Sequence, residues 1–535
     1  MSNAYPHEAH QPTAPDPTTD PDGPPSKRRR TGLIAAVVVA GVVTVGGVGT
    51  AVGMKMLGGS GAQPDEVLPK SSILYTRIDL DPSAGQKISA YRLLDKLPTA
   101  KNIATAQDPK KALFEELKKN DSQGTWSDVD YERDIGPWLG DRVGVSLLAP
   151  DASGADPTPV LAIQVKDQAA AEEGYTRLRD KAKNATASLP GLKGSSLANL
   201  TASGGSLGTG VSTAQPGEDA HWFKDDYLIV TDKKSEQSVR SAMDAGALRD
   251  SADYVADMAA LGDQGIASMW TDGPRLIDVL PQQPETQNLM RALKDYQGRS
   301  ASTLRFSSDY VELASVGRGA AKRLGSGEAV RDVAGLPDNP VAVLSFSGGG
   351  DMVTQLWPML QDTATAANGG RDPLAGVEQA SGLKLPADLA TMLGKQVDVV
   401  VPQQTFSSRD MPAVGARLTT DQAGAQAILD KVAALGADVP RSACGDRLCL
   451  GSTNGAAARL ADAGAFGENS AYKASVADAD KAGSIMYVDL DQIESYYVDL
   501  VPNDYRDLVR SLRAVGMSSF RDGDTDRSTL RLLAG

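Results

Sequence analysis

The chain has 535 residues, which at about 150 residues per domain predicts two to four folded units. Apolar residues make up 41% of it and charged residues 23%, a globular composition that excludes a fibrous or wholly disordered protein. The formal net charge is −14, and because the excess lies beyond residue 32, this acidic body repels phosphate backbones, which excludes nucleic acid as a partner.

Residues 1–32 predict a disordered cytoplasmic tail. They contain seven proline residues and almost no large apolar side chains, so they cannot bury a core. The tail ends in a block of four basic residues, Lys27, Arg28, Arg29 and Arg30.

The segment Leu33–Met54 predicts a transmembrane helix. Its 22 residues carry no charge, and a helix of that length spans about 33 Å, which matches the core of a bilayer. The basic block precedes it and only Lys55 follows closely, so the positive-inside rule keeps the N-terminus in the cytoplasm. We therefore expect a single-pass protein of the cell membrane that contacts the lipid bilayer through residues 33–54. After a linker over 55–66, its bulk is extracytoplasmic; a signal peptide cleaved near Ser60-Gly61-Ala62 is the alternative.

The exported part contains one ordered set of segments twice. The apolar strand after Leu68-Pro69 has a counterpart after Leu336-Pro337. The segment "IGPWLGDRVGVSLL" from Ile135 resembles "LATMLGKQVDVVV" from Leu389, and in both copies an Asp-Gln pair and an Ala-rich helix follow. Self-similarity that keeps its order predicts an internal duplication.

Two related modules, residues 67–322 and 331–535, follow from that repeat. The first carries a Gly/Ser/Thr-rich insertion at about 183–220, which its composition predicts to be a surface loop. Strand segments come as adjacent pairs joined by turns such as Asp522-Gly523, which favours antiparallel hairpins over a doubly wound parallel sheet. The predicted fold class is α+β, with mainly antiparallel sheets and helices on one face.

Cys444 and Cys449 are the two cysteines of the chain. Both lie in the predicted exported part, where an oxidising environment permits a disulfide, and a tight hairpin across Gly445-Asp446 would let them face each other. Closing so short a loop restricts the unfolded chain by only about 2 kcal/mol. The Cys-x-x-Cys spacing of redox sites is absent, so we predict a local structural disulfide.

Two short motifs match patterns found in hydrolases. Gly204–Gly208 fits GxSxG, but no apolar strand precedes it, and the exported part has a single histidine, His221. Ser381 and Lys384 have the SxxK spacing of penicillin-binding enzymes, without the Lys-Thr-Gly or Ser-Asp-Asn elements that complete that set. We favour the structural interpretations, a surface loop and a helix-capping serine beside a surface lysine.

Closely spaced carboxylates are the remaining candidates for metal binding or acid–base chemistry. The groups are Asp522, Asp524 and Asp526; Asp79 and Asp81; and Asp128 and Asp130. The first begins like a calcium loop, but Arg527 and Leu533 stand where that loop needs Gly and Glu. One exported His and two Cys are too few for a standard zinc site, and the exported part has no P-loop or dinucleotide fingerprint. We therefore predict no catalytic residue, no metal site and no cofactor.

The opening of the exported part, "LPKSSILYTRIDLDPSAGQKISAYRLLDKLP" from Leu68 to Pro98, resembles the opening of an actinobacterial family catalogued as domain of unknown function 3352. Members resemble this chain in layout, with a Pro-rich tail, a basic stop, one membrane helix and a long exported region. The resemblance extends over most of residues 65–535. It implies a membrane-anchored address and a fold, but no activity and no site residues.

Together these features favour a non-catalytic binding or assembly module of the cell envelope. Its paired modules would form a cleft or face for a lipid, a glycan or an envelope protein, and such sites commonly lie where modules meet, here between about Gly317 and Asp338. An extracytoplasmic hydrolase or metal-dependent enzyme using carboxylates such as Asp79 and Asp81 is the alternative. A third hypothesis, a structural spacer, predicts an elongated ectodomain.

Overall fold

A computed structural model describes residues 62–97, 108–119, 128–150, 157–187, 219–279, 298–323, 327–405, 412–498, 501 and 503–535. The predicted tail at 1–32, the predicted membrane helix at 33–54 and most of the 55–66 linker lie outside these residues. Within the described ranges, no helix combines the length and the apolar character needed to cross a bilayer.

The described strands form one sheet of 16 strands in which every neighbouring pair is antiparallel. The first eight are β1 Ser72–Asp79, β2 Leu139–Leu148, β3 Thr158–Val165, β4 Asp219–Lys224, β5 Tyr227–Asp232, β6 Ala267–Asp272, β7 Arg299–Phe306 and β8 Tyr310–Arg318. The other eight are β9 Ala342–Ser347, β10 Gln396–Val401, β11 Gly415–Thr419, β12 Arg441–Cys444, β13 Arg447–Gly451, β14 Ser484–Asp489, β15 Leu512–Asp522 and β16 Thr525–Ala534. The α+β class and the antiparallel pairing are confirmed.

Strands β1–β8, the first half, and β9–β16, the second half, follow the same order from edge to centre. The orders are β4-β5-β3-β2-β1-β6-β7-β8 and β12-β13-β11-β10-β9-β14-β15-β16. Strands β8 and β16 pair at the centre, with Tyr310 opposite Leu533 at one end and Arg318 opposite Thr525 at the other. The two predicted modules therefore share one continuous sheet.

Helices connect and cover the strands. In the first half they are α1 Ala84–Lys96, α2 Pro109–Lys119, α3 Gln168–Ala187, α4 Glu236–Asp244, α5 Ala252–Leu261 and α6 Gly273–Val279. In the second half they are α7 Gly349–Ala367, α8 Pro373–Ser381, α9 Ala387–Leu393, α10 Gln422–Ala434, α11 Asn454–Arg459, α12 Ser470–Ser475, α13 Leu490–Tyr497 and α14 Asn503–Arg510. Helix α3 and strand β4 extend into both ends of the predicted 183–220 loop, whose middle lies outside the described residues.

Both faces of the outer strands are buried, which differs from the predicted arrangement with helices on one face. Because side chains alternate along a strand, Tyr227 and Ile229 of β5 enter one core with residues of α4 and α5, whereas Leu228 and Val230 enter another with residues of α3. We call the side carrying Tyr227 face A and the opposite side face B. The second half repeats this division, with separate cores on its two faces.

An aromatic cluster on face A anchors each half near the centre of the sheet. In the first half, Tyr254 packs edge-on against Tyr75 and Trp270, with ring centroids 5.7 and 5.8 Å apart. The second half uses Phe466, Tyr472 and Tyr487, whose centroids lie 4.3 to 5.9 Å apart. Such pairs stabilise beyond the area they bury, so both clusters fix the helices of face A on the central strands.

Candidate anion-binding pocket

The residues of the predicted hydrolase motifs have structural partners. His221 on β4 has its Nε2 atom 3.0 Å from Oε1 of Glu172. Ser381 ends helix α8, where its hydroxyl donates to the carbonyl of Val377 at 2.6 Å. Gly204–Gly208 lies outside the described residues. No nucleophile–base pair is formed by the members of these motifs that the structure describes.

The predicted carboxylate pairs are engaged locally. Asp79 accepts a hydrogen bond from the backbone of Asp81, and Asp81 forms an ion pair of 2.5 Å with Lys87. Asp130 caps a single π-helical turn by accepting from the backbone N–H of Arg133. Among the described residues, no group of three or more His, Cys, Asp or Glu side chains is arranged to hold a metal ion.

The three alternating aspartates surround the β15–β16 turn, and each faces an arginine. The nitrogen–oxygen distances are 3.1 Å for Asp522–Arg527, 2.9 Å for Asp524–Arg318 and 3.0 Å for Asp526–Arg521. The Arg318 hydrogen bond holds the pKa of Asp524 below its usual range. The cluster is thus a set of ion pairs around a turn rather than a calcium loop.

The two cysteines lie on the β12–β13 hairpin. Cys444 and Cys449 are joined as a disulfide, with Cα atoms 5.9 Å apart. Gly445, at φ 66°, forms the turn between the strands, where a residue without Cβ adopts the left-handed conformation at no steric cost. The pair therefore lies at the outer edge of the second half, away from the centre of the sheet.

A pocket of about 350 Å³ lies beside the β15–β16 turn, where the two halves meet. We call it the basic pocket because its lining residues include four basic ones and one acidic one: Lys322, Arg323, Arg521, Arg527 and Asp526. Phe346 and Met352 supply apolar surface, and Ser484 and Ser519 supply hydroxyls whose oxygens lie 2.6 Å apart. A cationic pocket in a protein of net charge −14 marks a site for an anion.

Tertiary pairing assembles this pocket from two distant stretches of chain. Lys322 and Arg323 follow β8, in the segment that leads into the second half, and Arg521 and Arg527 flank the turn of the β15–β16 hairpin. The turn itself needs Gly523, whose φ is 61°. The basic residues meet because β8 pairs with β16.

Asp526 holds two of the arginines in place. Its Oδ1 lies 3.0 Å from Nε of Arg521, and its Oδ2 lies 3.8 Å from Nε of Arg323. The Arg323 guanidinium also donates to the carbonyls of Gly523, at 2.9 Å, and Asp524. One carboxylate thus orients two guanidinium groups without neutralising the pocket.

Arg527 is buried without a full set of acceptors. Its side chain is 9% exposed and its Nε lies 3.1 Å from Oδ2 of Asp522, an exposed carboxylate. Within the described part of the chain, neither Nε nor Nη1 of Arg527 has a hydrogen-bond partner. In register Arg527 lies opposite Val316, which belongs to the core on face A, whereas Arg521, Asp526 and Ser519 point to face B. The guanidinium of Arg527 is therefore a buried charge behind the pocket, and burying an ionised group without such partners is costly.

A second cavity, of about 400 Å³, lies in the second half near Pro337 and Leu460. The charged residues in its lining are Asp338, Arg459 and Asp462, so it carries no excess of positive charge. The basic pocket is therefore the better candidate for a site with defined chemistry.

Sequence reasoning did not find the basic pocket. It examined acidic pairs and catalytic motifs, whereas the pocket consists of arginines and a lysine on strand ends and a connecting segment. The available signal was the run of basic residues at Arg318, Lys322 and Arg323, immediately before the predicted second module. That run lies within the 317–338 junction where a site was expected from architecture.

The family described as "Protein of unknown function (DUF3352)" matches residues 33–437, about three quarters of the chain, and the chain belongs to it. No curated protein matches the sequence, and no solved structure matches the fold.

Proposed function

We propose that this member of the DUF3352 family is a non-catalytic binding protein of the cell envelope that holds an anionic ligand in the basic pocket. The observation that carries the proposal is the gathering of Lys322, Arg323 and Arg521 around a pocket whose lining has one acidic residue, Asp526. Arg521 and Arg323 supply guanidinium groups, whose forked geometry suits phosphate and carboxylate oxygens.

We place this function outside the cytoplasmic membrane, with the protein anchored by one helix at residues 33–54. The uncharged Leu33–Met54 segment and the basic block that precedes it support this placement. The disulfide between Cys444 and Cys449 also supports it, because such bonds persist in oxidising compartments.

We further propose that the two halves arose by internal duplication. Their identical strand order supports this, as do matching local details. Asp272 and Asp489 end equivalent strands, β6 and β14, and each accepts from the backbone three residues later, at Arg275 and Gln492. A duplication would explain why a site forms at the junction, since each half ends its sheet with a strand that pairs with its counterpart.

Calorimetric titration with inorganic phosphate tests the binding proposal. The full-length chain would be reconstituted in nanodiscs of zwitterionic lipid, and Arg521→Gln compared with Arg441→Gln, which removes the same charge from the far edge strand β12. We expect Arg521→Gln to weaken binding at least about tenfold, because charge-assisted hydrogen bonds contribute about 1.5–3 kcal/mol. Arg441→Gln should bind like the parent.

The ionic-strength dependence of binding and a second variant test the same proposal. Binding should weaken as ionic strength rises, because the interaction is electrostatic. Arg323→Gln provides a second variant and should also weaken binding. A parent chain that does not bind phosphate, or equal affinity in the Arg521 and Arg441 variants, would contradict the proposal.

A further inference from the structure

The floor of the basic pocket continues along face B as apolar surface. Phe346, Ser484 and Ser519 lie side by side on β9, β14 and β15 at the level of the pocket. Two residues further along the same strands, and on the same face, lie Leu344, Met486 and Met517. One further step reaches Ala342, Val488 and Val515. We call these six residues the apolar strip.

The apolar strip is partly exposed to solvent, whereas the same face of the outer strands is buried. Leu344 is 45% exposed, and the other five members are half-buried. On the same face of the outer strands, Val397, Leu418 and Leu448 are almost fully buried, in a core that includes residues of α10. Contiguous exposed apolar surface beside a polar site is typical of ligand grooves, and methionines adapt to chains of varied shape.

The strip has a direction and a length. It begins below Ser519 in the basic pocket and ends at Val515, about 13 Å away at 3.3 Å per residue. One end of this surface is thus cationic and the remainder apolar. A volume of about 350 Å³ at the cationic end suits the headgroup of a single molecule rather than a bilayer surface.

We infer that the ligand of the basic pocket is a single anionic amphiphile, with its phosphate or carboxylate head among Lys322, Arg323 and Arg521 and its alkyl tail along the apolar strip. This inference rests on the proposed function and adds the chemical class of the ligand. The positive charge of the pocket favours an anionic head. An alkyl tail that covers the strip buries apolar surface, which lowers the free energy of binding in proportion to the area buried.

A series of phosphates of increasing alkyl length tests the inference. Inorganic, butyl, hexyl and octyl phosphate would be titrated into the full-length chain in zwitterionic nanodiscs, with empty nanodiscs and the Arg521→Gln chain correcting for partition into lipid. We expect affinity to rise up to about fourfold for each added methylene, so octyl phosphate should bind on the order of a hundredfold more tightly than butyl phosphate.

Variants of the strip separate the tail from the head. Met517→Thr should flatten the dependence on chain length and leave inorganic phosphate binding unchanged; Leu344→Thr, at a more exposed position, provides a second variant if the first fails to fold. Ile78→Thr is the matched control, because Ile78 is 46% exposed on the same face but five strands away on β1. It should behave like the parent.

The outcomes distinguish this inference from the proposed function. Equal affinity for inorganic and octyl phosphate would overturn the amphiphile and leave the anion site intact. Failure of every phosphate to bind would overturn both. Octyl phosphate that bound equally to the parent and to Arg521→Gln would show that its head is not in the pocket, which also overturns the inference.

Discussion

Glu312 and Arg527 are buried charges at the third position of β8 and β16, the strands that join the two halves. Glu312 lies 2.6 Å from Arg305 and 2.9 Å from Arg531, so both of its oxygens face guanidinium nitrogens. Arg527 lies 3.1 Å from one exposed carboxylate, that of Asp522, and its Nε and Nη1 atoms make no hydrogen bond to the described residues. The same position thus holds a satisfied charge in one half and an unsatisfied one in the other.

Neighbouring positions show the same contrast. Arg521 and Asp526, each one residue from the turn end of its strand, correspond in register to Phe306 and Val311 on β7 and β8. In the first half this level is therefore apolar, and the backbone of Phe306 donates to Gln86 of α1. A buried charge with matched partners stabilises the fold, whereas one that lacks them costs free energy.

The largest effect that we expect concerns a buried ion pair that is present in the second half and absent at the equivalent position of the first half. The buried carboxylate of Asp398 on β10 lies 2.8 Å from Nε of Arg417 and accepts hydrogen bonds from Ser345 and Gln396. At the equivalent position of β2 the first half has Gly144. Asp398→Asn should lower the free energy of unfolding by about 4 kcal/mol, because it leaves a buried guanidinium without its carboxylate. Chemical denaturation followed by circular dichroism measures this.

The control for that variant is Asp430→Asn, which removes an exposed ion pair with Arg441 and should change stability by less than about 0.5 kcal/mol. Equal effects of the two substitutions would mean that burial of the Asp398 pair does not decide its contribution.

A second, smaller effect tests the role of Glu312. Glu312→Gln should destabilise the protein by about 3 kcal/mol, because Arg305 and Arg531 would lose the carboxylate that both of them contact beside the β8–β16 pairing. The midpoint of chemical unfolding gives the result. Glu236→Gln, which affects an exposed helical pair with Arg240, is the control and should be nearly neutral.

A third effect depends on pH. Asp134 and Asp388 lie at corresponding places before β2 and β10, and each receives a hydrogen bond from a lysine of a later helix, Lys181 or Lys431. Asp134 has its pKa held below the usual range chiefly by the Arg133 hydrogen bond, and Asp388 chiefly by the backbone of Lys384. The ionised forms are therefore favoured by the folded state.

Because these pKa values are lowered on folding, the stabilisation is complete above the unfolded value near pH 4 and is lost as pH falls towards the folded one. We expect Asp134→Asn to cost about 2 kcal/mol at pH 7, a value limited by the exposure of Arg133. Asp388→Asn should cost less, since Asp388 is more exposed. Unfolding midpoints from pH 7 to pH 2 should show each difference shrinking below about pH 4; a constant difference would contradict the assignment.

The smallest effect has the opposite sign. Arg527→Met should raise the free energy of unfolding by about 1 kcal/mol without ligand, because it removes buried donors that lack acceptors and gives up only a half-exposed ion pair. If Arg527→Met destabilised the protein as Glu312→Gln does, the two buried charges would be equivalent, and the distinction between the halves would fail.

Local patterns in the sequence predicted much of the fold. The hairpin with Asp522-Gly523 at its turn, the helix after Asp421 and the strand after Leu336-Pro337 all occur where alternation, capping and turn residues indicated. Helices on both faces were not predicted, because a strand buried on both sides, such as β5 with Leu228 and Ile229, differs little in pattern from a half-buried one. The single sheet was also missed, since the pairing of β8 with β16 joins segments far apart in the chain.

The sequence by itself determined the class of fold, its antiparallel hairpins and the acidic character of the folded body, because these depend on side-chain alternation, turn residues and composition. Tertiary structure alone decided the candidate site. Arg323 and the turn at Gly523 are 200 residues apart and meet because β8 pairs with β16. Basic residues that are far apart along the chain form one pocket only when β8 and β16 pair, because contacts between distant strands depend on the tertiary structure and not on local sequence patterns.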